Sequence, residues 1–324
     1  MFTHYFRITH RGAGNRQRAR LLEALLARAE TAAAVTDWRA DAFRVLAPSS
    51  LTMPGLGAAA LCAERGRVDA GWVFIATPVH YIAEMANVRL HADGIVSLAP
   101  PQADVLAADF NGMWHDTGMR LVPGRSGELF LLSDRPLEAR THDPRDALDR
   151  HIDDYLPSGA DAPQLRRLMS EIEMWLFEHA VNRARAGSGQ PPVKGLWLWG
   201  GGPALASLPS VAGWTAGDDP FFNALGARTS APGMRTSAPG ARTSGGVDAA
   251  AGCSASGVVA IDAEPGTDAW RDPESRWLEP SFRALKSGRI QRLDLSAGDR
   301  CFSLTGRWNW RPWRRRSPWW EVLA

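Results

Sequence analysis

The sequence is poor in the residues that build disulfide frameworks, metal clusters and membrane spans. Its three cysteines, Cys62, Cys253 and Cys301, lie far apart and form no Cys-x-x-Cys pair. This argues against a disulfide scaffold or a cysteine zinc site, and it fits a reducing compartment. No apolar run approaches the roughly 18 residues of a membrane span, and the N-terminal segment has no apolar core typical of a secretory signal. We therefore predict a cytoplasmic protein without a transmembrane segment.

The sequence also has no large excess of positive or negative residues. The 37 Lys and Arg residues nearly balance the 35 Asp and Glu residues, which leaves a formal net charge of +2. No strong field therefore favours nucleic acid or an acidic partner over the whole surface. The hydrophobic fraction of 45% is typical of a globular protein, and the length is sufficient for one large domain or two modest ones.

Apolar periodicity and turn residues predict an α/β protein with a mixed sheet and flanking helices, in one main domain. Strands are predicted at 2–9, 71–80, 88–91, 120–122, 128–132, 196–199, 257–261, 289–295 and 301–304. Helices are predicted at 16–34, 38–46, 56–65, 101–115, 145–155, 164–185 and 270–285.

A repeat of small and polar residues interrupts this pattern. Residues 227–246 read ARTSAPG, MRTSAPG, ARTSGG, a composition that buries too little apolar surface to offset the entropy of ordering. We predict a disordered insert at 227–256. The main α/β region then covers 1–226 and continues through 257–306.

The last segment, 307–324, mixes tryptophan with arginine. Its members are Arg307, Trp308, Trp310, Arg311, Trp313, Arg314, Arg315, Arg316, Trp319 and Trp320. Interleaved aromatic and basic residues can stack on nucleic acid bases or lie at a membrane surface. They can equally dock on a protein core with the arginine stems over the rim. This tail is the only feature that favours nucleic acid as a partner.

The stretch LMSEIEMWLFEHAVNRARAGSGQPPVKGLWLWGGGP, at 168–203, resembles the RpfE-type regulatory proteins of bacteria. That family has a helix ending in His-Pro-Val-Asn, then Arg, a Gly turn, a Pro-Val-Asn step and a Trp-Leu-Trp-Gly-Gly-Gly strand end. The upstream TPVHYIAEMANVRL also resembles the family's Pro-Val-His strand. The resemblance implies a non-catalytic regulatory or ligand-binding protein whose partner is a small anionic metabolite or a regulatory protein.

The same block, about 145–203, is also similar to archaeal-type cofactor-independent phosphoglycerate mutases. This second resemblance implies the alternative, a divergent metal-dependent mutase-like or phosphatase-like enzyme that uses two Mn²⁺ or Mg²⁺ ions held by Asp and His. The chain departs from that pattern because all eight histidines lie at or before position 179. Ala180 stands where the families have Pro, and Lys194 where they have Asn. We therefore predict no metal site and no cofactor, and the catalytic residues stay unknown.

The candidate binding residues lie at the end of the predicted helix 164–185 and after the following strand. Arginine offers a two-pronged donor to carboxylate or phosphate, and glycines at a strand end let a backbone approach an anion. The hypothesis is a pocket beside the strand end 197–202, closed by the helix end 179–185. Its candidate residues are His80, His179, Asn182, Arg183, Arg185, Lys194, Gly200, Gly201 and Gly202.

Each of these features also has a purely structural interpretation. Basic residues near a helix C-terminus complement the helix dipole, and a glycine run followed by Pro203 is also a plain turn after a buried strand. His151, with Asp153 and Asp154, forms a further polar cluster in which the imidazole would be a general base if it met a carboxylate. No nucleophile elbow, His-Glu-x-x-His helix or EF-hand loop occurs.

Overall fold

The chain forms two compact units in the computed structural model. The first unit combines Met1–Met53 with Pro209–Ala324, and the second is Pro54–Leu208. The structure describes residues 2–8, 17–31, 37–85, 87–125, 127–226, 255–261, 265, 267–305 and 316–323. The predicted repeat insert, Cys253 and much of the predicted Trp/Arg tail lie outside the described residues. The predicted region 1–226 is thus divided at residue 53 and again at residue 208.

Strands and helices alternate along the described residues, as the α/β prediction requires. The strands are β1 (Thr3–Ile8), β2 (Glu30–Thr31), β3 (Trp72–Ala83), β4 (Val88–Ile95), β5 (Met119–Pro123), β6 (Leu129–Ser133), β7 (Gly195–Pro203), β8 (Trp214–Gly217), β9 (Gly257–Ile261), β10 (Arg292–Ala297) and β11 (Arg300–Thr305). The helices are α1 (Arg20–Leu26), α2 (Trp38–Leu46), α3 (Leu56–Arg65), α4 (Pro100–Met113), α5 (Ala162–Phe177), α6 (Ala180–Gly187), α7 (Pro220–Gly226), α8 (Asp268–Pro273), α9 (Glu279–Lys286) and α10 (Trp319–Leu323).

The first unit is built on a mixed sheet in the order β2-β11-β10-β1-β9-β8. The strands β10, β1, β9 and β8 pair in parallel. On the side of β10, the strand β11 pairs antiparallel with β10, and β2 pairs antiparallel with β11. Apolar side chains such as Phe6 and Leu295 on one face join Leu25 of α1 and Leu285 of α9 in a buried core. This mixed sheet with flanking helices confirms the predicted fold class.

Trp319 anchors the described end of the tail in that core. Its side chain is fully buried, and its indole N–H donates to the backbone oxygen of Gln17 at 2.8 Å. For this residue the structure supports the docking interpretation of the tail.

The second unit has an antiparallel sheet centred on the long strand β3. Strand β7 pairs along one edge of β3, while β6 and β4 pair with successive parts of the other edge, and β5 adds to β6. Side chains alternate between two cores. Leu196 and Leu198 pack with α4 and α5, whereas Trp197 and Trp199 pack with α3. Among the described residues, no helix is long and apolar enough to cross a lipid bilayer.

Two of the predicted helices are wrong. The segment 145–155 forms only the short 3-10 turns Pro144–Ala147 and Asp153–Tyr155, because the residues between them bond to the edge of β4. The predicted helix 164–185 is two helices, since His179 has extended dihedral angles (φ −66°, ψ 143°) and caps α6. His179 therefore lies at a helix start and not at the predicted helix end.

The glycine run in β7 allows the backbone of this strand to lie close to neighbouring segments. Gly200 has φ +63° and lies in a bulge against β3, where the register shifts. A Cβ on Gly202 would lie 2.5 Å from the Cα of Gly55, just before α3. No side chain fits at this crossing, so the glycines have a packing function in the structure.

We predict that Gly202→Ala destabilises the second unit. The added methyl group would have to displace the Gly55 backbone, and overpacking of this kind costs about 1–3 kcal/mol. Urea unfolding followed by tryptophan fluorescence measures the change. Gly112→Ala is the matched control, because a Cβ there meets nothing within 4 Å and alanine favours a helix by about 0.5–1 kcal/mol. Equal stability of the two variants would contradict the packing function.

His4 of β1 is a buried histidine of the first unit. It is 1% exposed, its Nδ1 is 2.8 Å from the Ser281 hydroxyl, and its ring packs edge-on against Trp214 at 5.0 Å. Burial lowers its pKa from 6.5 to about 4. His4 is therefore a neutral core residue at physiological pH.

We predict that protonation of His4 contributes to acid unfolding of the first unit. A folded-state pKa below the unfolded value gives stability that is present above pH 6.5 and is lost as the pH falls towards 4. The loss is at most about 3 kcal/mol. The test compares the free energy of unfolding of wild type and His4→Gln across this range. The pH dependence should be weaker in the variant, and identical profiles would refute the idea.

Candidate functional site

Three predicted binding side chains converge on the segment 191–194, which leads into β7. Arg185 Nε donates to the Pro191 oxygen at 2.8 Å, and the His80 ring Nδ1 lies 2.9 Å from the Pro192 oxygen. The Asn182 amide donates to the Val193 oxygen at 2.7 Å and accepts from the Val193 N–H at 2.8 Å. Together these three side chains form what we call the β7 brace. It fixes the position from which β7 starts.

Asn182 extends the brace to the preceding helix. Its amide nitrogen also donates to the Leu176 oxygen in the last turn of α5, at 2.7 Å. One buried side chain thus joins α5, α6 and the start of β7. Both amide hydrogens and the amide oxygen are used, so Asn182 has little hydrogen-bonding capacity left for a ligand.

Arg185 is a buried cation surrounded by neutral oxygens. Besides Pro191, its guanidinium donates to the Gln102 side-chain oxygen at 2.9 Å and to the Ser97 backbone oxygen at 3.3 Å. Burial lowers the pKa of Arg185, although a guanidinium remains charged at physiological pH. The charge is spread over carbonyl dipoles, and the side chain is only 3% exposed.

His179 is held between a backbone donor and a carboxylate. Its Nδ1 accepts the Val181 N–H at 3.2 Å, so the other nitrogen carries the hydrogen and faces Asp109 Oδ2 at 3.1 Å. The ring also packs edge-on against Trp175, with centroids 4.6 Å apart. These contacts orient His179 as the cap of α6.

The predicted strand-end glycines lie at the other end of β7. Gly195 and Gly202 are separated by seven residues of strand, which corresponds to roughly 20 Å. The Gly200 N–H donates to the Thr141 hydroxyl at 3.1 Å, and a Cβ on Gly201 would collide with Phe74. The structure therefore does not bring the glycines and the β7 brace together in one pocket.

Two predicted cations keep exposed side chains. Lys194 Nζ donates to the Tyr81 oxygen at 2.8 Å. Arg183 is exposed on α6, and its side chain forms no hydrogen bond or ion pair with other described residues. Of the predicted set, these two side chains remain accessible to a ligand.

A second group of polar residues surrounds an open cleft of about 610 Å³ in the second unit. It includes His151 and Asp154 of the predicted polar cluster. The lining residues are Glu84, Arg89, Asp149, Arg150, His151, Asp154 and Tyr155.

Backbone pairing to β4 assembles this cleft. Leu90 accepts from the Asp149 N–H at 2.9 Å and donates to the Arg150 oxygen at 3.1 Å, while the buried Ile152 donates to Val88. Within the described residues, Asp149 is the only non-glycine residue with a positive φ, at 58°. Strained residues of this kind are frequent at binding sites. The sequence signal for this cleft was the predicted cluster of His151, Asp153 and Asp154. Nothing local in the sequence connects that cluster to Glu84 and Arg89.

Charges in the cleft are only partly neutralised. Arg89 bridges Glu84 at 2.9 Å and Asp149 at 2.6 Å, and His151 Nε2 lies 3.4 Å from the second Glu84 oxygen. Arg150 donates to the Tyr155 hydroxyl at 2.8 Å. In the described part of the chain no carboxylate pairs with Arg150, so its positive charge is available at the cleft.

The described residues do not fit the two-metal site that the mutase resemblance implies. They contain no group of three or more His, Cys, Asp or Glu side chains placed to hold a metal ion. In the first unit, His4 has its ring buried against Ser281 and Trp214. No phosphoryl transfer step through a metal can therefore be derived from the described residues.

Part of this chain is similar to 2,3-bisphosphoglycerate-independent phosphoglycerate mutases. The mutase of Methanothrix thermoacetophila is 38% identical over 92 residues, which are 28% of this chain and 23% of the mutase. That of Methanosarcina barkeri is 27% identical over 128 residues, or 39% and 32% of the two chains. The chain thus matches about a quarter to a third of the length of these relatives. No protein-family model matches the sequence.

Solved structures give a weaker likeness. The cofactor-independent phosphoglycerate mutase of Thermoplasma acidophilum aligns over 94% of this chain and 90% of its own, with 15% identity and a TM-score of 0.39. The PH0037 protein of Pyrococcus horikoshii aligns with 12% identity, 96% and 90% coverage and a TM-score of 0.40.

We predict that Asn182→Leu destabilises the second unit by about 3 kcal/mol. The substitution leaves the Leu176 oxygen and both Val193 backbone groups without their partner, and each buried unsatisfied group costs about 1–3 kcal/mol. Urea unfolding measures the change. The neighbouring exposed Arg183→Ala is the control and should shift stability by less than about 0.5 kcal/mol. A loss below about 1 kcal/mol for Asn182→Leu would show that the brace contributes little.

Proposed function

We propose that this protein is phosphoglycerate mutase-like and that its second unit binds a phosphoglycerate-type anion, a small acid with both a carboxylate and a phosphate. The observation that carries the proposal is the 38% identity to a phosphoglycerate mutase over 92 residues. This identity covers a minor part of either chain, so the activity of the whole mutase is not transferred with it.

The cleft around Arg150 is the proposed place of binding. Its volume of about 610 Å³ is within the usual range of small-molecule sites, roughly 300–1,000 Å³. Arg150 offers a planar donor that suits a phosphate or carboxylate. His151 lies beside it in the lining of the cleft. Arg89 pairs with Glu84 and Asp149 and offsets part of their negative charge, which reduces the repulsion of an anion.

The second candidate is binding without turnover, in a regulatory role of the RpfE type. The observation that favours it is the lack of a metal-holding group among the described residues. Both candidates require the same bound anion. They differ in whether product forms when Mn²⁺ or Mg²⁺ is supplied.

We predict that 3-phosphoglycerate binds in the absence of metal and that Arg150→Met weakens this binding by about tenfold. The loss of one charge-assisted hydrogen-bonding group costs about 1.5–3 kcal/mol. Isothermal titration calorimetry in the presence of a chelator measures the affinity. Arg183→Met is the matched control, because Arg183 is an exposed arginine of the same unit and belonged to the site predicted from sequence.

The pattern of results separates the hypotheses. Loss in Arg150→Met alone supports the cleft, whereas loss in Arg183→Met alone supports the site predicted from sequence. A mutase assay with Mn²⁺ then separates the enzyme from the regulator. If wild type neither binds nor converts 3-phosphoglycerate, the proposed function is wrong.

A further inference from the structure

The first unit contains a cleft that is rich in positive charge. It has a volume of about 670 Å³ and lies between the start of α1 and the segment from α8 to α9. Of the described residues that line it, five are basic: Arg18, Arg20, Arg271, Arg283 and Lys286. Two others, Glu274 and Glu279, are acidic. The cleft is independent of the residues discussed above for the second unit.

Helical periodicity explains why these side chains face the cleft. On α9, Glu279, Phe282, Arg283 and Lys286 are spaced at three, four and seven residues and share one face. The other face buries residues such as Leu285 in the core. Since burial of that face fixes the rotation of the helix, the basic face must be directed towards the cleft.

Much of the positive charge is available to a ligand. The side chain of Arg20 has no hydrogen bond or ion pair with other described residues. Lys286 Nζ lies over the Phe282 ring, 5.7 Å from its centroid. Arg283 is 3.5 Å from Glu279, but both side chains are more than half exposed. Exposed pairs of this kind contribute little and exchange readily. Arg18, by contrast, is held by two hydrogen bonds to Glu23.

Glu274 contributes a carboxyl group to the lining of the cleft. It begins a π-helical turn, Glu274–Leu278, and turns of this type are frequent at functional sites. Its carboxyl lies beside the Trp270 indole and the Leu22 backbone, and Oε1 is buried without a hydrogen bond of normal geometry in the described residues. Burial raises the pKa of Glu274. This carboxyl therefore opposes an anion less than an exposed glutamate would.

The cleft also has an apolar surface that simple anions do not need. Leu21 and Phe282 line it and are each only partly buried. An aromatic side chain beside several cations suits a ligand with a flat apolar ring and a phosphate, because rings stack on phenylalanine while arginine and lysine bind phosphate. Inorganic phosphate has no ring that could stack on Phe282.

We propose that this cleft binds a mononucleotide, with its phosphates at Arg20, Arg283 and Lys286 and its base against the ring of Phe282. The site is separate from the proposed phosphoglycerate cleft. Its volume of about 670 Å³ suits a single nucleotide better than a strand of nucleic acid, since small-molecule sites commonly measure roughly 300–1,000 Å³.

The test is calorimetric titration of the full chain with ATP, AMP, pyrophosphate and adenosine. ATP and AMP should bind, and Arg20→Met/Arg283→Met should weaken both by at least about tenfold. Phe282→Leu should weaken AMP and leave pyrophosphate unchanged. The control is Arg67→Met, an exposed arginine of the second unit with no partner among the described residues. Unchanged thermal unfolding of each variant shows that the fold is retained.

Several outcomes would overturn the proposal. ATP and AMP that fail to bind at millimolar concentration would do so, as would affinities that are the same in wild type and in Arg20→Met/Arg283→Met. Pyrophosphate binding that matches AMP and ignores Phe282→Leu would reduce the cleft to a phosphate site. Binding of single-stranded DNA without binding of mononucleotides would indicate a nucleic acid surface instead.

Discussion

The hydrogen bonds of the Asn182 side chain are the constraint on which the second unit depends. They hold the end of α5 and the segment before β7 at one buried point. Strand β7 then pairs with β3 along most of its length, and β3 in turn carries β4 and β6. Successive residues of β7 face different cores, so a slip by one residue would exchange Trp197 and Trp199 with Leu196 and Leu198. The brace therefore helps to fix the register of β7 on β3.

Local signals were sufficient for much of this fold. The bounds of α2 and α3 were predicted correctly, since Asp37 caps the first and Pro54-Gly55 precedes the second. The failures have two causes. Apolar periodicity runs on through 164–185, but the His179 cap, which is a local interaction, breaks the helix. The segment 145–155 has helical composition, yet the edge of β4 takes its backbone hydrogen bonds. Only the three-dimensional neighbour could reveal the second result.

The candidate site shows the same limit for side chains. Arginine, histidine and asparagine near a glycine run are suitable donors for an anion, and the sequence predicted a pocket on that basis. The same donors suit backbone oxygens, and in the structure Pro191, Pro192 and Val193 receive them. The sequence identifies the donor side chains but not the acceptor atoms that they meet in the fold. The cleft around Arg150 was predicted only in part, through the cluster that contains His151 and Asp154. Glu84 and Arg89 were not connected with it, because they reach it through the pairing of β4.

Some polar residues stabilise the fold and others remain accessible to a ligand. This difference affects how the partial likeness to mutases is interpreted. The block around 145–203, in which the resemblance was recognised, contains the β7 brace and the packed glycines of β7. Its Asn182, Arg185 and Gly202 have structural functions in this arrangement of β3 and β7. At these positions the likeness is explained by shared packing, so it does not identify the residues that bind a ligand. Ligand binding must then depend on groups that the packing leaves unused, and in the second unit these include Arg150 and His151.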